Sequence, residues 1–250
     1  MSINSVISKL QKLSNSNSVK VFVPSAQKEL TFTQLSVRQQ KELIKTGLDG
    51  AIAGVTISNI MSQIIIDNSV DKHDFLSTDK FPIILALRRA SFGSKVNIKD
   101  NDKTLTFDLD EILSKPLKFD EKFSTTLNFK DENISISVSV PLLRDDIKAN
   151  EQQLNSYKKN KDAEISDTVG TLFVFEIAKF VTKIVLDDEE VDLSTLSFKD
   201  KVSVIENIPA YLNNKILEYI QNFRKSEVEF VTYNGEVLPL DARLFAKDSE

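Results

Sequence analysis

Few residue types in this sequence could carry chemistry. It has no cysteine and a single histidine, His73. Disulfides, thiol nucleophiles and sulfur-ligated metal sites are therefore excluded, and so is a site with several histidine ligands. A Ser-His-Asp triad would have to use His73, which lies in a polar connector where a surface hydrogen bond is the preferred interpretation. Carboxylate, lysine or magnesium chemistry remains open.

An acidic run at residues 187–192 is a candidate cation site. An EF-hand, however, needs acidic ligands at alternate positions, a central glycine and a terminal glutamate, and this order is missing here. We therefore interpret the run as a solvated acidic loop. A small lysine cluster at residues 158–161 is followed at once by acids, so we interpret it as a solvated helix end.

Known catalytic motifs are missing. The sequence has no phosphate-binding loop and no serine in a nucleophile-elbow frame. Two carboxylates that hydrolyse a sugar remain conceivable, because 37 acidic residues always offer pairs. We expect a protein that is not an enzyme and that has no cofactor and no metal site.

Charge and hydropathy limit the partners. The 32 basic and 37 acidic side chains give a formal charge of −5, which disfavours nucleic acid because phosphate binding needs a basic face. Residues 1–18 lack the apolar core of a signal peptide. The most apolar stretch, residues 169–186, is interrupted by Glu176, Lys179 and Lys183, so we expect a buried helix of a soluble protein. We expect no nucleic acid, membrane or small molecule as partner.

Alternation of apolar and polar residues predicts four hairpins. The third has the clearest alternation, and the fourth surrounds Asn234-Gly235, a strong turn signal. The strand pairs are 19–23 with 30–32, 95–99 with 104–107, 125–130 with 133–140, and 228–233 with 236–240.

Helical spacing and capping residues predict the remaining elements. Ser36 and Gln39 form a capping box, Asp79 is the expected N-cap of the next helix, and Gly50 and Gly93 are expected to end helices. A short docking helix is expected at the N-terminus, with residues 14–18 as a linker. The other predicted helices are 37–48, 55–66, 80–91, 142–160, 167–186, 198–206, 209–225 and a turn at 241–246.

These elements predict an α+β fold, a helical body with several antiparallel β-hairpins. We divide the chain into an N-terminal helix and linker (1–18), a hairpin-and-helix half (19–140) and a mainly helical half with the C-terminal hairpin (141–250). The three parts can also form one continuous domain.

Three stretches resemble the baseplate hub and hub-assembly proteins of T-even-type contractile-tailed bacteriophages, the myoviruses. Residues 19–48 contain the family-like pattern P-S-x-x-K-E-x-x-F followed by Q-Q-K. Residues 81–93, FPIILALRRASFG, resemble the family's central helix. Residues 198–227 resemble its C-terminal helical pair.

The resemblance implies a structural hub subunit, or a factor that assembles the hub without remaining in the particle. Its partners would be other baseplate hub proteins and tape-measure proteins. It would be located in the virion tail baseplate, or in the cytoplasm of the infected host during assembly. Two alternatives remain: a tail assembly chaperone that is not retained in the virion, and a carboxylate-dependent peptidoglycan hydrolase of the tail.

Partner-binding candidates lie in two places. In the central helix, either arginine could form a bidentate ion pair that fixes a hairpin or a partner. Alternatively, both could simply lie near the C-terminal end of the helix because the helix dipole favours positive charge there. In the C-terminal hairpin, Pro239 cannot donate to a strand ladder, so this ribbon is either an edge that a partner extends or a cover for the preceding helix. The candidates are Arg88, Arg89, Phe92, Phe230, Tyr233, Val237 and Phe245.

Overall fold

The computed structural model describes residues 3–48, 52–100, 103–118, 123–159 and 165–246. Helices and small antiparallel sheets alternate along them, which confirms the α+β class. Two compact units form: unit 1 comprises Met1–Leu117 and Val228–Glu250, and unit 2 comprises Lys118–Glu227. This grouping differs from the division at residues 18 and 140, because the third hairpin joins the following helices and the C-terminus joins the first part of the chain.

The helices and strands follow one another in chain order. Before residue 118 they are α1 (Ile3–Ser16), β1 (Ser18–Val23), β2 (Lys28–Thr33), α2 (Val37–Lys45), α3 (Ala53–Asn68), α4 (Lys80–Phe92), β3 (Lys95–Asp100), β4 (Lys103–Asp108) and α5 (Leu109–Ser114). After it they are β5 (Ser124–Phe129), β6 (Ile134–Ser139), α6 (Leu143–Lys159), α7 (Ile165–Phe180), β7 (Val181–Leu186), β8 (Glu189–Asp192), α8 (Phe198–Glu206), α9 (Ala210–Val231), β9 (Thr232–Tyr233) and β10 (Glu236–Val237).

The first hairpin and the helix after it form as predicted. β1 pairs with β2 in the register Val21↔Leu30, and the alternate apolar side chains of both strands are buried. Ser36 and Gln39 close the capping box at the start of α2. This helix tightens into a 3-10 turn, Thr46–Leu48, while Gly50 lies outside the described residues.

The N-terminal linker is a wrong prediction. α1 continues to Ser16, and β1 already begins at Ser18. Serine and asparagine cost only a few tenths of a kcal/mol more in a helix than average residues, about 0.5 kcal/mol relative to alanine. A polar run at a helix end therefore need not be a linker.

Helix α4 supplies much of the core of unit 1, with buried side chains from Pro82 to Arg88. Gly93 ends it with φ 89°, a left-handed conformation that glycine adopts without strain. Asp79 stands at the N-cap position, but its side chain makes no cap hydrogen bond. The predicted capping role of Asp79 is therefore wrong, because its carboxylate is engaged elsewhere.

The second and third hairpins are confirmed. β3 pairs with β4 and β5 with β6, both antiparallel and in continuous register. The turn residues Asn101 and Asp102 of the second hairpin lie outside the described residues.

The predicted helix at 167–186 and the acidic loop at 187–192 need correction. The helix ends at Phe180, and Val181–Leu186 forms strand β7 in the sheet β5-β6-β7-β8. Three of its six residues, Val181, Ile184 and Val185, are β-branched aliphatics that pack well in strands. Asp187 and Asp188 have positive φ and form a tight turn into β8. The acidic run is therefore mostly an edge strand.

The C-terminal hairpin is shorter than predicted. α9 extends to Val231 because Phe230 and Val231 continue its buried stripe, seven and eight residues after Phe223. The hairpin keeps only β9 and β10, around Asn234 and Gly235 with positive φ. Residues of α9 up to 227 belong to unit 2 and the last four to unit 1. A 3-10 turn, Ala242–Leu244, stands where the final helical turn was expected.

Candidate functional site

The C-terminal end of α4 is held by Arg88. Its side chain is buried, its Nε donates to the carbonyl of Leu244 at 3.1 Å, and its Nη1 donates to the carbonyl of Gly93 at 2.6 Å. The guanidinium also lies 5.4 Å from the ring centroid of Phe92. Arg88 thus ties the end of α4 to the last described turn of unit 1.

Arg89 points to a different neighbour. Its Nη1 lies 3.0 Å from Oδ1 of Asp110 at the start of α5, and both side chains are partly exposed. Such an ion pair adds little stability in water, so Arg89 keeps a charged group at the surface. Phe92 follows three residues later, one turn further along the helix, and is also partly exposed.

The C-terminal segment, defined here as residues 232–246, packs onto the same unit. Lys115 donates to the carbonyl of Thr232, and the rings of Phe107 and Tyr233 lie 6.3 Å apart. Gln40 of α2 donates to the carbonyl of Phe245 at 3.0 Å. Most of this segment is therefore part of the fold of unit 1.

The seven predicted partner-binding residues separate by exposure. Arg88, Phe230 and Phe245 are buried, Tyr233 is half-buried, and Arg89, Phe92 and Val237 reach the surface. Of the seven candidates, four are at least partly exposed and so remain available to a partner: Arg89, Phe92, Tyr233 and Val237. We call this set the α4 surface.

A salt bridge lies close in sequence to the α4 surface. Nζ of Lys95 lies 2.5 Å from Oδ2 of Asp108, across the register of β3 and β4. This hydrogen bond raises the pKa of Lys95 and lowers the pKa of Asp108. Both groups therefore stay charged at neutral pH.

Ser25, His73 and Asp79 form a constellation that sequence reasoning missed. Ser25 Oγ lies 2.9 Å from Nε2 of His73 and donates to Oδ2 of Asp79 at 2.5 Å. The backbone N–H groups of Ser25 and Leu76 also donate to this carboxylate. Burial raises the pKa of Asp79, although these hydrogen bonds and His73 oppose the rise.

The order of these bonds is not that of a catalytic triad. In a triad the serine donates to histidine, and the carboxylate holds the other ring nitrogen. Here Oγ of Ser25 contacts both Nε2 of His73 and the carboxylate of Asp79, so the serine and not the histidine is the middle member of the three. The arrangement joins the turn of the first hairpin to the start of α4. His73 also lines a shallow cavity of about 420 Å³ formed within residues 66–75.

Unit 2 contains a chain of ion pairs between three helices. Nζ of Lys179 lies 3.0 Å from Oδ1 of Asp146 and 3.2 Å from Oε2 of Glu176. Arg224 pairs with the same glutamate and with Glu227. Burial would raise the pKa of Glu176, but Arg224 and Lys179 outweigh it and hold that pKa below its usual value. The network joins α6, α7 and α9.

Among the lysines that the structure describes, Lys201 has the most strongly shifted pKa. Burial lowers the pKa of Lys201 to about 8, against the attraction of Asp145 and Asp192. Asp192 itself caps the following turn by accepting from the N–H of Ser194.

Within the described residues, no group of three or more acidic or histidine side chains could hold a metal ion. No described helix is long and apolar enough to cross a membrane.

The family model described as "T4 bacteriophage base plate protein" matches residues 16–235 of the chain. The chain belongs to this family. The match covers 220 of the 250 residues and extends over parts of both units. The resemblance in the sequence is thereby confirmed at the level of a T4-type phage baseplate protein. No curated protein and no solved structure shows a significant match to this baseplate protein.

The residues of the α4 surface stay a prediction from the sequence, whereas the two polar clusters were not predicted. Ser25 and Asp79 are 54 residues apart, and Glu176 and Arg224 are 48 apart. The available signals were Glu176 and Lys179 inside an apolar stretch, and Asp79 next to a buried helix. Neither signal identifies the partner side chain, because the identity of the partner depends on how elements distant in sequence pack together.

Proposed function

We propose that this baseplate protein is a subunit or assembly factor of the baseplate hub and that it acts through contacts with other proteins. The family match over residues 16–235 carries the proposal. The hub role itself is supported by the resemblance of residues 19–48, 81–93 and 198–227 to hub proteins. Its partners are other hub proteins and tape-measure proteins, and its place is the tail baseplate or the host cytoplasm during assembly.

The geometry supports binding rather than catalysis. The hydroxyl of Ser25 is committed to Asp79, and Arg88 and Lys179 hold neighbouring elements together. These three groups are thus used within the fold. In a protein that works by surface complementarity, such clusters keep the surface in one shape.

The α4 surface is the proposed contact site. Phe92 and Val237 expose 38% and 49% of their area, and Arg89, which precedes Phe92 by one helical turn, adds a partly exposed cation. Aromatic and arginine side chains are enriched at protein interfaces, which is the pattern found here.

Affinity purification from infected cells tests the proposal. A tagged wild-type protein should co-purify with hub and tape-measure proteins, and a Phe92→Ser/Val237→Ser variant should lose them while its circular dichroism is unchanged. Val37→Ser is the matched control, since Val37 of α2 is 82% exposed and lies outside the α4 surface. Recovery of no tail protein by the wild type would contradict the function. Full recovery by the double variant would contradict the contact site alone.

A further inference from the structure

The two edges of the sheet in unit 2 differ in charge. The sheet order β5-β6-β7-β8 leaves β5 and β8 at the edges. All four residues of β8 are exposed, and three of them, Glu189, Glu190 and Asp192, are acidic. Charged side chains are a common way to keep a strand edge from pairing with another chain. The β8 edge is therefore protected.

The β5 edge has none of these protections. Its sequence, Ser-Thr-Thr-Leu-Asn-Phe, contains no charge and no proline, and its register with β6 has no bulge. Its backbone hydrogen bonds go to β6, and no other described residue bonds to it. Every second residue of an edge strand directs its N–H and C=O outward, so β5 offers a row of such groups.

The two faces of β5 limit what can pair with it. Ser124, Thr126 and Asn128 are exposed on one face, while Thr125 and Leu127 are half-buried and Phe129 is buried on the other. Phe129 on the covered face contacts α9, where Nζ of Lys215 is 4.9 Å from the ring centroid of Phe129. An added strand must therefore place polar side chains on the first face and small or apolar ones on the second.

We propose that the β5 edge pairs antiparallel with β5 of a second copy of this chain. A two-fold axis perpendicular to the sheet, centred on Thr126 or on Leu127, brings like face to like face. In the first register Thr126 faces its own copy and Ser124 faces Asn128. In the second, Leu127 faces its own copy and Thr126 faces Asn128. No charged side chain is paired in either register.

The same operation fails at the other edge. A two-fold axis centred on Glu190 would place two carboxylates opposite each other, and like charges directly opposite are destabilising. Pairing through β5 therefore makes one eight-stranded sheet whose remaining edges are both acidic. The assembly closes at two copies and does not continue into a fibre.

The expected association is weak. A six-residue edge is a small interface compared with the roughly 1,200–2,000 Å² of stable complexes. We expect a dissociation constant on the order of 10–100 µM, and hence a dimer that depends on concentration. The inference is independent of the hub proposal, which concerns a different unit and different partners.

Sedimentation velocity of the full chain tests the pairing. From about 5 µM to about 300 µM, a range that brackets this constant, the wild type should shift from 28.2 kDa towards twice that mass. Thr126→Lys and Thr126→Glu should each stay monomeric, because residue 126 faces itself or lies diagonal to its copy in both registers. An equal mixture of the two variants should restore the dimer. Val191→Lys, on the exposed β8 edge, is the control and should behave as wild type.

Three results would overturn the proposal. The first is a monomeric wild type over the whole concentration range. The second is loss of the dimer in Val191→Lys but not in Thr126→Lys, which would move the contact to another surface. The third is a mixture of folded Thr126→Lys and Thr126→Glu proteins that stays monomeric, because opposite charges at a real two-fold contact must attract.

Discussion

Replacing Arg88 by lysine, and Arg89 by lysine in a second variant, tests whether the buried arginine stabilises the fold more than its partly exposed neighbour. Arg88 donates to two backbone carbonyls, those of Leu244 and Gly93, from two different nitrogens of one rigid fork. Lysine keeps the charge but has one ammonium, which cannot reproduce both directions. Arg89 makes a single partly exposed ion pair with Asp110. Arg89→Lys is therefore a matched control one residue away.

The size of the effect follows from the lost bonds. A hydrogen bond from a charged group contributes about 1.5–3 kcal/mol, and an unmet buried carbonyl costs a similar amount. We expect Arg88→Lys to lose one bond and about 1.5–3 kcal/mol, and Arg88→Met to lose both and about 3–5 kcal/mol. Arg89→Lys should cost about 0–1 kcal/mol, as exposed ion pairs do.

Thermal unfolding and hydrogen exchange measure these losses. For a chain of this size, Arg88→Lys should lower the melting temperature by about 3–12 °C, and Arg89→Lys by less than about 4 °C. Amide exchange at residues 242–246 should accelerate in Arg88→Lys alone, because Leu244 is the residue released. Equal effects of the two substitutions, or unchanged exchange at 242–246, would refute the role assigned to Arg88.

Three further substitutions test other parts of the fold. In unit 2, Lys179→Met removes the lysine that pairs with the buried carboxylate of Asp146. It should lower the free energy of unfolding in urea by about 3–5 kcal/mol. Adding Asp146→Leu to the same chain should restore most of this loss. In unit 1, burial raises the pKa of Asp79 above 3.8, so the contribution of this group is complete below that pH and is lost as the pH rises through the raised pKa. The difference in unfolding free energy between wild type and Asp79→Asn should then fall from pH 4 to pH 7. A constant difference would contradict a raised pKa of the buried Asp79 carboxyl. Gly93→Ala, at φ 89°, should destabilise by about 1–2 kcal/mol, whereas Gly54→Ala, in open helical space, should be neutral or stabilising in the same thermal assay.

Elements with local signals could be predicted from the sequence. The capping box of Ser36 and Gln39, the stop at Gly93 and the Asn234-Gly235 turn each depend on side chains within a few residues, and all three form as expected. For residues 181–186 the sequence predicts a helix and the structure shows a strand, because an apolar run has no period that separates a helix from a buried strand. Pairing with β6 decides it, and the paired residues range from Val138↔Val181 to Ile134↔Leu186, far apart in sequence.

The candidate site shows the same limit. Adjacent arginines in a helix lie about 100° apart and therefore face different neighbours, and the structure identifies Arg88 as the buried one. The sequence predicts a strand at Phe230 because no local signal marks the end of the preceding helix, and the burial of Phe230 follows from the longer α9. The acceptors of Arg88, by contrast, could not be read from the sequence, since Leu244 lies 156 residues away.

Quantitative mass spectrometry of baseplate assembly intermediates and gradient-purified phage particles tests the hub proposal most directly. The protein should co-sediment with hub and tape-measure proteins in the intermediates. Presence in the mature particle would identify a structural subunit, and absence from it an assembly factor. Absence from the hub-containing fractions and from the particles alike would contradict the proposal that this protein builds the baseplate hub.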